Sequence, residues 1–596
     1  MRFLLLISAC LLAGFSLAPG KADSQAVPGT GPAQAQELRD ADAAFHAGYR
    51  AVQSGDLAAA REDFQKAVQL APEIGEGHSA LGSVLLQLGQ FAEAIAELER
   101  ALSIRGEDRS AQLNLAVAYQ ETKAYEKSLK LFLALDQDPA DPLPASALIS
   151  YARALSSSGH ADLAQARLQK AVGDTPGDPT LRDALGSLDA QRQDWPNAEL
   201  QFGQAIALDS NFAAAHEHLG ATLLAEQRAP AAIRELTLAT QLAPQNPGAQ
   251  FELGQALAAN GQDEKAVPVL ERAVDLAPDF LDGKYQLALA MQRLGQNQQA
   301  VPLFQQVVDA QPRHAPALTN LALALVQTGK SREAIALYQR AIAETPKDPL
   351  VHQDLGVAYL QQSNLDDAIA EFRVGLQYAP DAYELHYNLG FALKLKDDLP
   401  AATAELEAAE RLNPESPDPP YTLGILNMQA GRFDQAVRQL NLALKLRPAN
   451  GDAWAVLGSV YKQQGDLPQA EKALREAVRL LPGQPGAHIT LAGVLAQQGK
   501  KDEATAERKI ASDLTRAATN RQRAMFAANA GKLLLEQGNI PEAIDRFHES
   551  ILSDPNYVEA HRGLADAFAR SGRQSEAEAE RQKIAQLEKV QPSVTP

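Results

Sequence analysis

The chain has 596 residues and a formal net charge of −19, from 74 acidic and 55 basic side chains. This negative charge opposes binding to phosphate backbones and to anionic membrane surfaces, so nucleic acid is not an expected partner. The only cysteine, Cys10, lies in the first segment of the chain. The remainder therefore has no disulfide framework and no thiolate metal site.

The N-terminal residues have the composition of an export signal followed by a lead-in. Arg2 precedes an apolar run over residues 3–17, and a stretch rich in Pro, Gly, Ala and Gln comes next. This pattern predicts a signal peptide over residues 1–22 and a flexible linker over 23–40. The residues before Cys10 loosely resemble a lipoprotein cleavage box, but the apolar run continues past the cysteine, which favours a cleaved signal over a lipid anchor. We expect an exported protein, periplasmic or extracellular, without a stable membrane span.

A 34-residue period occupies nearly all of the remaining chain. A small residue, such as Gly356, stands twelve positions before a periodic alanine, and in eight units a proline, such as Pro380, stands twelve positions after it. Proline ends a helix, so each unit is predicted to be helix, turn, helix, turn. The uninterrupted series of periodic alanines comprises residues 164, 198, 232, 266, 300, 334, 368, 402, 436, 470 and 504.

Glycine marks the turn between the two helices of most units, because a tight turn requires a backbone conformation that glycine adopts most easily. The predicted turn glycines are Gly55, Gly89, Gly159, Gly261, Gly295, Gly329, Gly431, Gly465, Gly499, Gly538 and Gly572.

This pattern resembles the tetratricopeptide repeat family, in about sixteen tandem 34-residue units. The resemblance implies an all-α fold, a right-handed superhelical solenoid of helix-turn-helix repeats. In this family the first helices line a concave surface that holds protein or peptide segments. One unit that carries the motif contains Trp454, Leu457, Gly458, Tyr461, Gly465, Ala470, Ala477 and Pro482.

Changes in the period define the predicted domains. Fourteen units span residues 41–523, and the spacing from Ala504 to Ala543 is five residues longer than the period, which predicts an irregular junction near 500–523. Two further units and a charged capping helix are predicted over 524–591, followed by a tail at 592–596. The sequence leaves open whether residues 500–523, which are rich in Lys and Arg, form a break or a binding element for an acidic partner.

No set of residues predicts catalysis, a metal site or a cofactor. The segment from Thr328 to Ser331 resembles the end of a phosphate-binding loop, but no strand precedes it. Six histidines share one phase of the repeat and are interpreted as packing residues, since each lies in a separate unit. They are His78, His216, His352, His386, His488 and His561.

The candidate binding residues follow from the family geometry. First-helix positions three before and one after the small residue face the groove, and in the middle units they are unusually apolar. A contiguous apolar strip suggests a partner site, but packing between neighbouring first helices is an equal alternative. The predicted groove residues are Phe251, Tyr285, Leu289, Leu323, Tyr387, Phe391, Tyr421 and Ile425, with Asn320 and Asn388 at another inward phase suited to holding a peptide backbone.

The leading functional prediction is a non-enzymatic exported scaffold that binds protein or peptide segments. An adaptor in polysaccharide synthesis or export is the alternative, by analogy with long exported arrays of the family. An enzyme such as a repeat-linked glycosyltransferase ranks third, because only residues 592–596 follow the repeats. Homo-oligomerisation remains open.

Overall fold

The computed structural model describes residues 32–137 and 141–590. The predicted signal peptide, Cys10, most of the linker and the tail at 592–596 lie outside these residues. Helix α1 begins at Pro32, inside the segment 23–40 that was predicted to be flexible. Its Ala, Gln, Glu and Arg content favours helix, and proline is tolerated at a helix start, which accounts for the earlier beginning.

Two compact units divide the chain between Pro312 and Arg313. The first unit has sixteen described helices, paired as the first and second helix of eight repeats. They are α1 Pro32–Ser54, α2 Leu57–Leu70, α3 Gly75–Gln87, α4 Phe91–Ile104, α5 Arg109–Glu121, α6 Tyr125–Leu135, α7 Ala145–Ser157, α8 Ala161–Asp174, α9 Pro179–Gln191, α10 Trp195–Leu208, α11 Ala213–Ala225, α12 Ala229–Leu242, α13 Pro247–Ala259, α14 Asp263–Leu276, α15 Leu281–Arg293 and α16 Asn297–Ala310.

The second unit continues the same alternation through fifteen described helices. They are α17 Ala315–Gln327, α18 Ser331–Glu344, α19 Pro349–Gln361, α20 Leu365–Tyr378, α21 Tyr383–Leu395, α22 Leu399–Leu412, α23 Asp418–Gln429, α24 Phe433–Leu446, α25 Gly451–Gln464, α26 Leu467–Leu480, α27 Pro485–Gln497, α28 Lys501–Glu536, α29 Ile540–Ser553, α30 Val558–Arg570 and α31 Gln574–Val590. The predicted fold class, an all-α solenoid of helix-turn-helix repeats, is confirmed.

The turns between paired helices have the predicted chemistry. All eleven predicted turn glycines have a positive φ, between 69° and 82°. Gly465, for example, caps α25 in the left-handed conformation with a φ of 82°. Five other turns place a non-glycine residue such as Ser363 in that conformation, which side chains adopt at some cost.

Small residues allow the two helices of a repeat to interlock. A Cβ atom added to Gly458 in α25 would lie 2.5 Å from Cγ of Leu474 in α26 and 3.3 Å from the backbone oxygen of Ala470. Leu474 and Ala470 are fully buried. The small position and the large residue sixteen positions later therefore form the close contact of the repeat.

Histidine side chains link the first helix of a repeat to its second helix by hydrogen bonds. Nδ1 of His352 lies 2.7 Å from Oε2 of Glu371, nineteen residues later, and Nε2 lies 3.1 Å from the carbonyl oxygen of Pro346. All six histidines of this phase have a glutamate nineteen residues later and a backbone carbonyl six residues earlier as partners, with Nδ1 to carboxylate distances between 2.5 and 2.8 Å. Trp454 holds this position in another repeat, where its Nε1 donates to the carbonyl of Pro448. These side chains are structural, as the sequence predicted.

One helix belongs to two repeats. Helix α28 has 36 residues and serves as the second helix of the fourteenth repeat and the first helix of the fifteenth. Its length of about 54 Å arises because the five extra residues include no proline and no turn glycine. A buried core cluster that includes Ala504 ends before this junction, and a separate one begins at Ala528. The irregular junction predicted near 500–523 is thus a continuous helix between two cores.

Candidate functional site

The candidate site in the second unit lies on the first helices of four successive repeats, α17, α19, α21 and α23. Neighbouring first helices are in contact. The positions one residue after the small residue carry apolar side chains, which are all half-buried. We call this set the apolar column, and it consists of Leu323, Val357, Phe391 and Ile425.

Two tyrosine rings of α21 extend the apolar column from Phe391. The ring of Tyr387 stacks between those of Tyr383 and Phe391, with centroid distances of 6.3 and 6.4 Å and interplanar angles of 19° and 23°. Nζ of Lys394 lies 5.4 Å from the centroid of Phe391. The hydroxyl of Tyr383 is 2.6 Å from Oγ of Ser416. The aromatic stack, Tyr383–Tyr387–Phe391, is thus a fixed platform along one helix.

The rings also contribute to packing between neighbouring helices. The Tyr387 hydroxyl makes a side-chain hydrogen bond with Thr422 of α23, and burial raises the pKa of Tyr387. Burial likewise raises the pKa of Tyr421, and the Asp452 carboxylate adds to that effect. Both side chains remain half-buried. These side chains therefore take part in packing, while recognition by their exposed parts stays a prediction.

Polar side chains form a second column on these helices, two positions before the small residue. We call Asn320, Asp354, Asn388 and Thr422 the polar column. Nδ2 of Asn320 donates to the carbonyl of Pro316 at 2.9 Å. Asn388 has no hydrogen-bond partner within the described part of the chain, so its amide is available. Thr422, the last residue of the column, is buried and only 3% exposed.

Asp354 was not predicted as a site residue, although it has the same repeat phase as Asn320 and Asn388. Burial, followed by the charge of Asp348, raises the pKa of Asp354 to about 6. The periodic phase alone could have identified it, had carboxylates been considered with asparagines. Its protonation state changes close to neutral pH.

The predicted residues of the first unit pack against their neighbours. The ring of Phe251 meets that of Phe280 edge-on at 4.7 Å, and Tyr285 meets Phe304 edge-on at 5.8 Å. Leu289 is half-buried. Phe304 is fully buried, so the Tyr285 ring is anchored to the second helix of its own repeat. Nothing in these contacts groups the three predicted residues into a site.

A cluster of charged side chains that the sequence did not predict lies on first helices of the same unit. Nδ1 of His218 is 2.7 Å from Oδ1 of Asp183, and Nδ2 of Asn246 donates to Oε2 of Glu217 at 2.6 Å. Burial raises the pKa of Glu252 to about 8, and the Glu217 carboxylate contributes. Oε2 of Glu252 is buried without a partner among the described residues. Burial of this kind depends on the neighbouring repeats, so composition does not reveal it.

Within residues 32–137 and 141–590, no group of three His, Cys, Asp or Glu side chains is arranged to hold a metal ion. No described helix is both long enough and apolar enough to cross a membrane.

Known families match this chain over most of its length. Profiles described as "Tetratricopeptide repeat" match residues 41–74, 79–142, 183–247, 223–291, 281–343 and 529–587. The profile of the "Cilia and flagella-associated protein 70 C-terminal domain" matches residues 313–528. No curated protein sequence matches the chain.

Several solved structures are similar in fold. The APC/C hetero-tetramer Cut9–Hcn1 is 15% identical, with coverage of 90% of this chain and 98% of that chain and a TM-score of 0.35. Yeast Tom70 is 16% identical, with coverages of 80% and 92% and a TM-score of 0.33. YrrB, described as a repeat protein with an unusual peptide-binding site, is 22% identical, with coverages of 31% and 95% and a TM-score of 0.29.

Proposed function

Because the chain belongs to the tetratricopeptide repeat family, we propose that it is a non-enzymatic scaffold that binds an extended protein segment across helices α17, α19, α21 and α23. The observation that carries this proposal is the available side-chain amide of Asn388 in the polar column, three residues before Phe391 of the apolar column. An asparagine side chain can donate to a peptide carbonyl and accept from a peptide N–H at the same time.

The spacing of the two columns suits an extended peptide. Packed helices are about 8–10 Å apart, and an extended chain advances about 3.3 Å per residue. A peptide that crosses these helices therefore advances by about three residues per repeat. Its backbone would lie along the polar column while its apolar side chains contact Val357 and Phe391.

Asp354 adds a pH dependence to the proposed binding. Its pKa of about 6 means that the carboxyl is mainly ionised at pH 7.5 and mainly protonated at pH 5. An ionised carboxylate accepts hydrogen bonds from peptide N–H groups, and this acceptor is lost on protonation. A segment that donates to Asp354 should thus bind more weakly at pH 5, and Asp354→Asn should reduce that difference.

Site-specific photocrosslinking can test the proposal in the cells that produce the protein. Benzoylphenylalanine at Phe391 should crosslink to one partner segment, which mass spectrometry would identify. The same group at Leu552, which is 86% exposed on α29, is the matched control. The identified segment is then synthesised, and its affinity is measured by calorimetry.

Asn388→Ala should weaken that affinity by about tenfold, the equivalent of one or two hydrogen bonds. Asn441→Ala removes an exposed asparagine from second helix α24 and should leave the affinity unchanged. A partner that crosslinks equally at both positions, or an affinity that survives Asn388→Ala, would exclude the first-helix face as the binding site.

We also propose that the scaffold is exported. Arg2 with the apolar run that follows it, and small residues at Ala22 and Ala26, support cleavage between about Pro19 and Val27. Sequencing the N-terminus of the protein from its native compartment tests this proposal. An intact Met1 would contradict cleavage, and a diacylated fragment that begins at Cys10 would replace it with a lipid anchor.

A further inference from the structure

The continuous helix α28 interrupts the stacking of the second unit. In the preceding repeats, the next first helix packs against the second helix before it, as α27 does against α26. After α27, the second helix of the fourteenth repeat and the next first helix are the same continuous helix, so no separate first helix covers α27. Ile489 of α27 is consequently 58% exposed. Tyr387 and Tyr421, which hold the same repeat phase, are half-buried.

The uncovered space is an open cleft of about 690 Å³ between α27 and α28. Its wall on α28 is a single stripe, because the lining residues follow the first of them by three, four, seven, eight, eleven, twelve and fifteen positions. They include Arg508, Ser512, Thr515, Arg516, Thr519 and Arg523. Ile489 supplies an apolar side chain opposite the stripe.

Arg508 replaces a packing residue. It stands sixteen positions after the small residue Ala492, where Leu474 stands relative to Gly458 and is fully buried. Arg508 is exposed instead. Because this position of the continuous helix α28 is exposed, a cation is accommodated here without burial of its charge.

The cations of the cleft differ from the neighbouring cations in their pairing. Outside the cleft, Nζ of Lys500 is 2.6 Å from Glu471, and Nη1 of Arg521 is 3.0 Å from Asp554. Arg508 and Arg523 have no carboxylate partner among the residues that the structure describes.

Arg516 of the cleft does have a carboxylate partner. It pairs only with Asp513, three positions earlier on the same helix, and both side chains are exposed. Such a surface pair is weak and readily exchanged for a ligand. The stripe therefore offers three guanidinium groups in an otherwise acidic chain.

We propose that this cleft binds an acidic, extended peptide segment of a partner protein, at a site distinct from the polar and apolar columns. The helix rise places Arg508 and Arg516 about 12 Å apart, and Arg516 and Arg523 about 10.5 Å apart. An extended peptide covers these distances in about three or four residues, so carboxylates at that interval can pair with all three arginines. An apolar residue between them would contact Ile489. The arginines of the stripe attract anions locally, although the whole chain has a net charge of −19.

Fluorescence anisotropy with the full-length protein can test the site. The probe is a labelled peptide of about twelve residues that carries glutamate at every fourth position and leucine between them. A control peptide has glutamine in place of glutamate. Arg508→Leu introduces the residue type that several other repeats have at this position, so we expect the fold to be retained, and Arg523→Gln removes the second unpaired cation. The matched control, Lys509→Gln, removes an exposed charge that does not line the cleft.

The double variant Arg508→Leu/Arg523→Gln should bind the acidic peptide about tenfold more weakly, and its binding should depend less on salt. Lys509→Gln and Asn388→Ala should bind as the unmodified protein does. Circular dichroism should give the same melting curve for all four proteins.

Three outcomes would overturn the proposal. One is an equal loss of affinity for the acidic peptide in the double variant and in Lys509→Gln, which would reflect net charge alone. Another is a loss of affinity for this peptide in Asn388→Ala, which would place the peptide on the polar column. The third is tighter, arginine-dependent binding of a uronate oligosaccharide than of the peptide, which would assign the cleft to a polysaccharide.

Discussion

Gly458→Ala tests whether the close contact between the two helices of a repeat sets local stability. Alanine favours a helix over glycine by about 1 kcal/mol, so the substitution would be stabilising on propensity alone. The added Cβ, however, would lie 2.5 Å from Cγ and 2.9 Å from Cδ2 of Leu474, and 3.3 Å from the oxygen of Ala470. Overpacking of this kind typically costs about 1–3 kcal/mol.

The upper part of that range applies here, because Leu474 is fully buried and the third neighbour is backbone. The net result should be a loss of about 2 kcal/mol from the free energy of unfolding of this repeat. Gly203→Ala is the matched control. Gly203 is at an exposed position of α10 with no atom within 4 Å of an added Cβ, so the variant should gain up to about 1 kcal/mol.

Hydrogen exchange read by mass spectrometry is the suitable assay, since repeats open locally and a single melting temperature is not well defined for a long array. Amides of α25 and α26 should exchange about thirtyfold faster in Gly458→Ala, and those of α10 should exchange more slowly in Gly203→Ala. If both variants gained equal protection, packing against Leu474 would not be the reason for glycine at position 458.

Three further perturbations address the charged and irregular parts of the chain. In the folded state the pKa of Glu252 is raised from 4.5 to about 8. Between these pH values the folded state binds more protons than the unfolded state, so the free energy of unfolding falls as the pH rises. Glu252→Gln should remove that slope from the protection of α13, which is the exchange rate corrected for the intrinsic rate at each pH. His386→Ala deletes the contacts with Glu405 and Pro380, and should reduce protection of α21 by about 1–3 kcal/mol, measured by denaturant-dependent exchange. Ala517→Pro should break α28 locally while the cores on either side stay protected in limited proteolysis; joint loss of both would contradict two separate cores.

Sequence reasoning succeeded where the structure depends on local chemistry. The turn glycines and the small first-helix positions were predicted because left-handed backbone and close helix contact each require a particular residue at a particular place. Gly465 and Gly458 illustrate the two requirements within one repeat.

Features that depend on neighbouring repeats were harder to predict. The pKa values of Asp354 and Glu252 are raised mainly by burial in the folded chain, and for Glu252 also by the Glu217 carboxylate of the preceding repeat, which the linear sequence does not display. The longer spacing after Ala504 did indicate an irregular junction. A search for proline and turn glycine over the same residues would have predicted the continuous helix α28 as well.

The two proposed sites arise from opposite relations to the repeat. Asn388 and Phe391 gain their significance from periodicity, since the same phase on successive helices aligns them with Asp354 and Val357. Arg508 gains its significance from a departure, because the continuous helix leaves a normally buried position open to solvent. An insertion of a few residues lowers the stability of a solenoid only locally, since each repeat is stabilised mainly by its neighbours. A register change can therefore create a charged cleft while the stacked cores before and after it, which end at Ala504 and begin at Ala528, remain intact.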